Sequence, residues 1–494
     1  MTAPEATADR YAEFLRCHPA YAGTGALDAL RATDYARLDA QRQTYLDYTG
    51  GGLHAASQVH AHTQMLGEEV LGNPHSVNPS SMRMTEKVEQ ARAAVLEYFN
   101  AGGAYTAIFT PNASGALKLV GESFPFAPGG RLLLTADNHN SVNGMREFAR
   151  AKGAGIDYAP LTRPELRIDE AALQCRLAQA DRTQANLFAF PAQSNFSGVK
   201  HPLALIDAAR AQGWKVLLDA AAFVPTNRLD LRALAPDFVV MSFYKMFGYP
   251  TGVGCLLVRN ETLPMLRRPW FGGGTVNFAT VQGRMHVLSG GEAGFEDGTL
   301  NYLAIPAVEI GLRHLQQVGI ETIQTRVHCL TDWLITQLLA LRHANGRPMM
   351  RLYGPATLEQ RGGTVTLNFY DPGGHLVDYR RIEELAAEVN ISLRTGCFCN
   401  PGAGETAEDL SEDDLRAGIA AVGDEINLQR FLHFLQHRGG KSAGAIRVSA
   451  GLASNFADVE RFIDFAAGLR DQTALSIGGV SFDIESCRVV RDGG

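Results

Sequence analysis

Long hydrophobic runs, cysteine, lysine and excess positive charge are all scarce in this sequence, and each shortage excludes a class of function. Across 494 residues no stretch of roughly 18 or more uncharged apolar residues occurs, so we predict no transmembrane helix. The N-terminal stretch MTAPEATADRYAEFLRCHP carries acidic side chains early and has no apolar core, which argues against a secretory signal. The net charge of −7 argues against a nucleic-acid partner, because such partners require a basic face.

The cysteines are few and scattered along the chain. They are Cys17, Cys175, Cys255, Cys329, Cys397, Cys399 and Cys487. An odd number without regular spacing does not indicate a disulfide framework, and it fits a reducing, cytoplasmic location. Apolar residues make up 46% of the chain and charged residues 20%, as in ordinary globular proteins, and the length suffices for two or three domains with a large core.

Short apolar runs alternate with helical periods through the middle of the chain, which predicts βαβ units around a mostly parallel sheet. The runs are TAIFT from Thr106, RLLLT from Arg131, ANLFAFP from Ala185, KVLLD from Lys215, DFVVMSF from Asp237 and GVGCLLVR from Gly252. Sheets of this kind bind ligands beyond the carboxyl ends of their strands, so we expect the functional residues at that edge.

The pattern changes after the last of these strands. Residues 305–341 read as long, helical and amphipathic, and beyond them strands and helices alternate as far as AIRVSAG, which predicts a smaller α+β domain. The fold class is therefore α/β, a large domain with a mostly parallel sheet plus a smaller α+β domain. We predict four parts: an N-terminal segment packing on the small domain, 1–55; the large domain, 56–310; the small domain, 311–470; and a strand-like tail, 471–494.

One of the few lysines has an unusual place. Lys245 alone follows directly on a predicted buried strand, at its carboxyl end and before a glycine-rich loop, in SFYKMFGYPTGVG. A lysine that is desolvated there has a lowered pKa and could attack a carbonyl carbon. The alternative is a lysine that ends the strand and points to water.

Asp219 ends the preceding predicted strand, so it reaches the same edge of the sheet. A buried carboxylate at a strand end needs a cation to offset its desolvation. A lysine that holds an aldehyde and an aspartate that faces a pyridinium nitrogen are the pair that pyridoxal phosphate requires. The two residues therefore favour this cofactor, and the alternative for Asp219 is a carboxylate that caps a helix.

A phosphate site and a ring contact can be placed at the same edge. TPNASGALK, from Thr110, joins a strand to a helix, where backbone N–H groups and the Ser114 hydroxyl would hold an anion, and Ser242 could add a second hydroxyl. His139, which follows RLLLT, could stack on a flat cofactor. The alternatives are small residues that cap a helix and a histidine that is only a polar loop residue.

The segments SFYKMFGYPTGVG, LLDAA, FEDGTLNYLAIPA, RTGCFCNPGAG and GNPHS together resemble the class V aminotransferase superfamily. Within it they are similar to the cysteine desulfurases, and most of all to the desulfurase-like domain of molybdenum cofactor sulfurases. The resemblance covers residues 40–470. It implies fold type I of the transferases that depend on pyridoxal 5'-phosphate (PLP), this cofactor, and a homodimer.

The resemblance also assigns roles to single residues. It implies that Lys245 binds the cofactor covalently and moves the α-proton of the substrate, that Asp219 pairs with the pyridinium and that His139 stacks on the ring. The phosphate contacts that it implies, the last of them reaching the other subunit, are Ser114, Ser242, Tyr244 and Thr275.

Further roles concern the substrate end of the site. Asn195 would lie near the phenolic oxygen of the cofactor or the substrate carboxylate, and Arg447 would clamp that carboxylate in a bidentate pair. Two positions depart from the desulfurase pattern: Tyr244 stands where histidine is more usual, and Ala222 stands where many desulfurases have a glutamine that contacts the phenolic oxygen. That contact is therefore missing or replaced.

Cys397 and Cys399 lie in RTGCFCNPG, between a predicted strand and a glycine. The pair could be half of a metal site, but no second CxxC or HxxxH cluster completes it, so we predict no metal; two buried cysteines in a turn are another alternative. A thiolate could instead take the sulfur of bound cysteine as a persulfide. The resemblance places Cys399 at the catalytic position, and nearby Arg394 would favour its thiolate; Cys397 would relay sulfur or have no role.

We therefore expect a PLP-dependent sulfurtransferase that converts L-cysteine to L-alanine and carries the sulfur as a persulfide on Cys399. The acceptor would be the molybdenum cofactor, a small biosynthetic intermediate or a carrier protein. Gly404 stands where sulfurases have a further cysteine, and we expect no C-terminal cofactor-binding domain in this chain.

Two other readings of the same residues stay open. The first is a PLP-dependent C–S or C–Se lyase, epimerase or aminotransferase without a protein persulfide. The second is a non-catalytic scaffold, against which the presence of Lys245, Asp219 and Arg447 argues, since a scaffold needs none of them.

Overall fold

The computed structural model describes residues 3–422, 442, 444–473, 480–483 and 488–491. An N-terminal segment comes first, and its elements are α1 (Ala3–Cys17), a 3₁₀ turn (Pro19–Thr24), α2 (Ala26–Asp34), α3 (Arg37–Ala40) and β1 (Thr44–Tyr45). Phe14 of α1 is fully buried against Trp333 and Phe456, and β1 pairs in parallel with residues Ile391–Ser392. The segment therefore shares a core with the later part of the chain, while the domain boundaries stay a prediction.

A seven-stranded sheet forms the centre of the large domain. The strands of this part of the chain are β2 (Tyr105–Thr110), β3 (Arg131–Thr135), β4 (Gly155–Ala159), β5 (Leu161–Thr162), β6 (Arg167–Ile168), β7 (Asn186–Pro191), β8 (Lys215–Asp219), β9 (Phe238–Ser242) and β10 (Gly254–Arg259). The order across the sheet is β2, β10, β9, β8, β7, β3, β4, and β5 and β6 form a separate hairpin. Only β10 runs antiparallel to its neighbours, which confirms the predicted mostly parallel sheet.

Helices cover both faces of this sheet. They are α4 (Ala56–Glu68), α5 (Pro79–Tyr98), α6 (Ala113–Ser123), α7 (Asn140–Asn143), α8 (Met145–Ala151), α9 (Glu170–Leu177), α10 (Leu205–Ala211), α11 (Phe243–Phe247) and α12 (Pro306–Val318), with 3₁₀ turns at Leu263–Met265 and Gly291–Gly294. Along β10, Cys255 and Leu257 join one hydrophobic cluster while Leu256 and Val258 join the other. Continuous apolar strands are therefore required here, because both faces are buried.

The long amphipathic stretch predicted over residues 305–341 forms two helices. The first, α12, ends at Val318, and α13 (Ile320–Ala340) begins two residues later. Gly319 between them has φ of +85°, a conformation that glycine adopts without the steric cost of a Cβ atom. The apolar periodicity continues on both sides of this residue, so the pattern alone does not show the break.

The small domain is an antiparallel sheet covered by helices. The remaining strands are β11 (Val276–Ala279), β12 (His286–Leu288), β13 (Met350–Tyr353), β14 (Thr364–Phe369), β15 (Ile391–Ser392), β16 (Arg394–Gly396), β17 (Ala445–Ser449), β18 (Val480–Asp483) and β19 (Arg488–Arg491). The remaining helices are α14 (Tyr379–Glu388), α15 (Pro401–Ala407), α16 (Glu412–Val422) and α17 (Phe456–Gly468). The sheet has the order β13, β14, β17, β16, which brings the cysteine-containing loop after β16 next to β17.

Besides the β1–β15 and β5–β6 pairs, two further pairs of strands in the described residues lie outside these sheets. The strands β11 and β12 form a hairpin that follows β10, and β18 and β19 form another in the predicted strand-like tail, whose other residues from 474 onward lie outside the described part. Within the described ranges, no helix combines the length and the apolar character needed to cross a membrane.

Candidate active site

A cavity of about 200 Å³ lies at the carboxyl ends of β7, β8 and β9, where the sequence predicts the functional residues. Seven of the predicted residues line it: Ser114, His139, Asn195, Asp219, Ser242, Tyr244 and Lys245. The structure therefore brings together residues that are separated by more than a hundred positions in the sequence. The parallel direction of the strands explains this, because each parallel strand ends at the same edge of the sheet.

Lys245 lies on the one-turn helix α11, which begins directly after β9. Burial lowers the pKa of Lys245 below its ordinary value, although Asp219 opposes the shift. In the part of the chain that the structure describes, the ammonium group has no hydrogen bond and no ion pair. A lysine with a lowered pKa and no partner at the wall of a cavity is available as a nucleophile.

Asp219 is the last residue of β8 and is 8% exposed. Its Oδ1 accepts a hydrogen bond from the Ala221 N–H at 3.0 Å, while Oδ2 has no partner among the described residues. This hydrogen bond fixes the rotation of the carboxylate, so that the other oxygen is left for a positively charged group in the cavity.

His139 begins α7, and its imidazole forms part of the cavity wall. The ring is oriented by its Nδ1 atom, which accepts a hydrogen bond from the Ser141 N–H at 3.1 Å. Burial lowers the pKa of His139, with Asp219 opposing and Lys245 adding to the shift, which favours the neutral form of the ring. A neutral, flat ring held at this wall is suited to stacking on an aromatic ligand.

The other end of the cavity is suited to an anion. Asn112 caps α6 by accepting the Gly115 N–H at 2.9 Å, and the positive end of the helix dipole therefore faces the cavity. The hydroxyl oxygens of Ser114 and Ser141 lie 2.6 Å apart, and Ser242 Oγ accepts the N–H of the first residue of α6 at 2.9 Å. Sequence analysis missed Ser141 and Asn112, since neither residue type is distinctive in a loop.

The loop that carries Cys399 is fastened to the rim of this cavity. The Asn140 N–H donates to the Cys399 carbonyl oxygen at 2.7 Å, and Asn195 Nδ2 donates to the Phe398 carbonyl oxygen at 2.7 Å. Asn400, which the sequence analysis missed, donates from Nδ2 to Asn195 Oδ1 at 2.8 Å. Phe398 and Cys399 both have φ of +54°, a left-handed conformation that costs a non-glycine residue about 1 kcal/mol or more.

Comparison with known proteins gives the family. The model for "Aminotransferase class-V" matches residues 44–462. The chain belongs to the class V aminotransferase family. A molybdenum cofactor sulfurase of Arabidopsis thaliana is 38% identical over 487 residues, which cover 89% of this chain and 57% of that protein. The human molybdenum cofactor sulfurase is 36% identical over 473 residues, 91% of this chain and 52% of that protein.

This member of the class V aminotransferase family spans just over half the length of the two curated relatives. Its fold is that of the cysteine desulfurase from Thermococcus onnurineus NA1, with a TM-score of 0.74 and 23% identity over 90% of this chain and 97% of that one. The family and the fold match the resemblance seen in the sequence, and the fold is type I of the PLP-dependent enzymes.

The cofactor of a class V aminotransferase is PLP, and the cavity described above fits it. The aldehyde requires an amine, and Lys245 is unpartnered; the pyridine nitrogen requires a carboxylate, and one oxygen of Asp219 is unpartnered. The phosphate requires an anion site, which the start of α6 provides. In the described residues, no group of three or more His, Cys, Asp and Glu side chains is arranged to hold a metal ion.

Gln193 is a cavity residue that the sequence analysis missed. Its side chain is 3% exposed and lies beside Ala222, and its Oε1 is buried without a hydrogen-bond partner in the described part of the chain. Buried amides are normally hydrogen-bonded, and this oxygen packs against Gly362, where an added Cβ atom would overlap it. Gln193 and Ala222 both line the cavity, and nothing in the sequence indicates that Gln193 does.

Opposing influences act on the Cys399 thiol. Burial raises its pKa and Cys397 adds to the shift, so the pKa lies above its ordinary value. Lys245 and Arg394 lower the pKa, so Arg394 favours the thiolate as predicted, although burial outweighs it. The guanidinium is also engaged elsewhere, since Arg394 Nη2 lies 2.6 Å from Asp47 Oδ2.

Three predicted residues do not line the cavity. Cys399 is exposed at its rim, and Arg447 is buried behind the cysteine loop, with its guanidinium 4.7 Å from the centre of the Phe398 ring. Thr275 lies away from the site, and its hydroxyl donates to the Gly272 carbonyl oxygen at 2.9 Å. The structure of one chain therefore leaves the predicted role of Thr275 without a contact.

Proposed function

We propose that this chain is a PLP-dependent cysteine desulfurase, which cleaves L-cysteine to L-alanine and carries the sulfur as a persulfide on Cys399. The observation that supports it is the attachment of the Cys399 loop, through Asn140 and Asn195, to the rim of the cavity that contains Lys245. When bound, PLP supplies an acceptor for electrons from the bonds of the substrate α-carbon.

The residues of the cavity bind, orient and move protons. Lys245 Nζ would attach the cofactor and, once released, take the proton from the substrate α-carbon, for which its lowered pKa is suited. Asp219 Oδ2 would hold the pyridine nitrogen in its protonated form, and His139 would cover the ring. Ser114 and Ser242, with the start of α6, would bind the phosphate.

The sulfur step belongs to Cys399. Its thiolate attacks the sulfur atom of the bound substrate, a bond between the two sulfurs forms, and the bond between the substrate β-carbon and sulfur breaks. The carbon keeps the electron pair and then takes up a proton, which yields alanine. The thiol must lose its proton first, and the positive charges of Lys245 and Arg394 lower the cost of that loss.

The proposal leaves several candidates for the acceptor of the sulfur. The curated relatives are named molybdenum cofactor sulfurases, which supports the molybdenum cofactor as the acceptor to test first, ahead of a small biosynthetic intermediate or a carrier protein. The thiol chemistry requires a reducing compartment such as the cytoplasm, and all cysteines in the described part of the chain are free.

One alternative has an observation in its favour. Cys399 is exposed and its pKa is raised, which would suit a PLP-dependent C–S lyase that releases sulfur without a protein persulfide. The same cavity residues would serve either reaction, so the fate of the sulfur separates the two.

Intact-protein mass spectrometry after incubation of the PLP-loaded protein with L-cysteine tests the proposal. We expect the protein to gain one sulfur atom while alanine is released, because the substrate sulfur moves to Cys399. The Cys399→Ala variant should show no such gain. Cys175→Ala is the matched control, since Cys175 is exposed and does not line the cavity, and it should gain sulfur as the wild type does.

Three results would contradict the assignment. Alanine or pyruvate without a mass gain would favour the lyase or transaminase reading. Loss of the gain in Cys397→Ala but not in Cys399→Ala would move the acceptor role to Cys397. No reaction with L-cysteine would show that L-cysteine is not the substrate.

A homodimer completes the proposal. For Thr275 to reach the phosphate of the other subunit, its side chain, which is fully buried and hydrogen-bonded to Gly272, would have to turn outward. The loop and hairpin around Thr275 expose apolar side chains that one chain leaves uncovered: Trp270 is 46% exposed, Val281 95% and Met285 60%. Exposed apolar groups concentrated in one segment are typical of a protein interface.

Replacing Val281 and Met285 together by aspartate should convert the dimer to a monomer, because two buried charges at an interface have no partners. Sedimentation velocity measures the change. Val389→Asp, at an exposed valine of the small domain, is the control and should sediment like the wild type. A wild-type protein that is itself monomeric at all concentrations would contradict the proposed dimer.

A further inference from the structure

Asp47 connects two arginines of the site from the N-terminal segment. Its Oδ1 accepts a hydrogen bond from Arg447 Nη2 at 3.0 Å, and its Oδ2 accepts two from Arg394, from Nη2 at 2.6 Å and from Nε at 2.9 Å. The carboxylate is buried, with 6% of Asp47 exposed. One carboxylate therefore joins β17, which carries the arginine expected to bind substrate, to β16, which leads into the Cys399 loop.

The backbone around Asp47 is shaped to keep the carboxylate in place. The chain turns tightly after it, and a Cβ atom at Gly50 would come within 2.6 Å of both carboxylate oxygens. Asp47 also forms a β-bridge with Ser449, two residues beyond Arg447. The position of the carboxylate relative to β17 is thus fixed by backbone contacts and does not depend on the ion pair alone.

Only some of the N–H donors of the Arg447 guanidinium are used by hydrogen bonds within the protein. It has five N–H groups; one on Nη2 binds Asp47, and one on Nη1 donates to the Asn195 carbonyl oxygen at 3.1 Å. Nε is buried and has no partner in the residues that the structure describes. The two anchors fix the plane of the group. Its remaining N–H groups lie behind Phe398, so a substrate carboxylate would form a bidentate pair with them once the cysteine loop moves aside.

We propose that Asp47 is the positioning residue that sets the affinity of the site for the α-carboxylate of the substrate, by holding the Arg447 guanidinium in the orientation that receives it. The proposal rests on the proposed function, which makes an amino acid the substrate. A guanidinium that is already oriented loses less rotational freedom on binding, so the carboxylate is bound more tightly. Asp47 itself does not touch the substrate.

A pair of ligands that differ only in the carboxylate tests this role. The PLP-loaded protein is titrated with L-alanine and with ethylamine, and binding is followed by the change in the visible absorbance of the cofactor. In Asp47→Asn we expect the dissociation constant of L-alanine to rise about tenfold and that of ethylamine to stay unchanged. Asp39→Asn is the matched control. Asp39, like Asp47, belongs to the N-terminal segment and pairs with an arginine, but its partner is Arg31 and it lies outside the cavity.

Several outcomes would overturn the proposal. Equal weakening of both ligands would indicate a general structural role, and unchanged or tighter binding of L-alanine would show that Asp47 does not orient Arg447 for the carboxylate. If Asp47→Asn does not fold, Asp47→Glu keeps the charge but displaces the carboxylate, and the same selective loss is expected. The titration does not depend on Cys399, so failure of the persulfide reaction and failure of this proposal are separate results.

Discussion

Replacing Lys245 by alanine should lower the rate of alanine release from L-cysteine by at least about 10⁴-fold. Lys245 is the only lysine that lines the described cavity, so its loss removes both the covalent attachment of the cofactor and the group that moves the α-proton. The rate of alanine release and the visible absorbance of the protein together measure the effect. The absorbance band of the covalently bound cofactor should disappear in the variant.

Lys200→Ala is the matched control for this experiment. Burial lowers the pKa of Lys200 as it does that of Lys245, but Lys200 does not line the cavity. We expect the control to retain both the absorbance band and the rate. A Lys245→Ala protein that turned over L-cysteine at a rate within tenfold of the wild type would exclude the proposed role of the lysine.

Replacing Asp219 by asparagine should lower the rate by about 10²–10³-fold, the size of effect seen when one electrostatic contact to a reacting group is removed. Asparagine keeps the volume and can still accept the Ala221 N–H, so the local turn is preserved. Only the negative charge is lost, and with it the group that keeps the pyridine nitrogen protonated. Rates of alanine release at saturating L-cysteine measure the change.

The control for the charge is Asp157→Asn, on the edge strand β4, where the carboxylate pairs with Arg131. We expect no change in rate there. If Asp219→Asn keeps full activity, the carboxylate is not required for the cofactor, and its interpretation as a helix cap gains support.

The central sheet and one wall of the cavity could be predicted because their signals are local. Strands that are buried on both faces must be continuously apolar, and parallel strands must deliver their ends to one edge. Asp219 ends such a run, and Lys245 and His139 follow one within four residues, so their proximity could be predicted without knowledge of long-range contacts. The roles assigned to them rest on the resemblance and remain proposals.

Other features depend on distances that no local pattern records. The unpartnered amide of Gln193 is visible only once the packing around it is known. The net direction of the Cys399 pKa depends on how much burial outweighs the nearby positive charges, and the sequence shows the charges but not the burial. The break at Gly319 is hidden for a similar reason, because the apolar period is the same on both of its sides.

The pairing of Asp47 with Arg447 has a consequence for the order in which the protein is made. The two residues are 400 positions apart, so the first is synthesised long before the second. The large sheet with its cofactor cavity can form on the ribosome before β17 has emerged. A growing chain could thus acquire PLP while it still lacks Arg447, the arginine proposed to bind the substrate carboxylate.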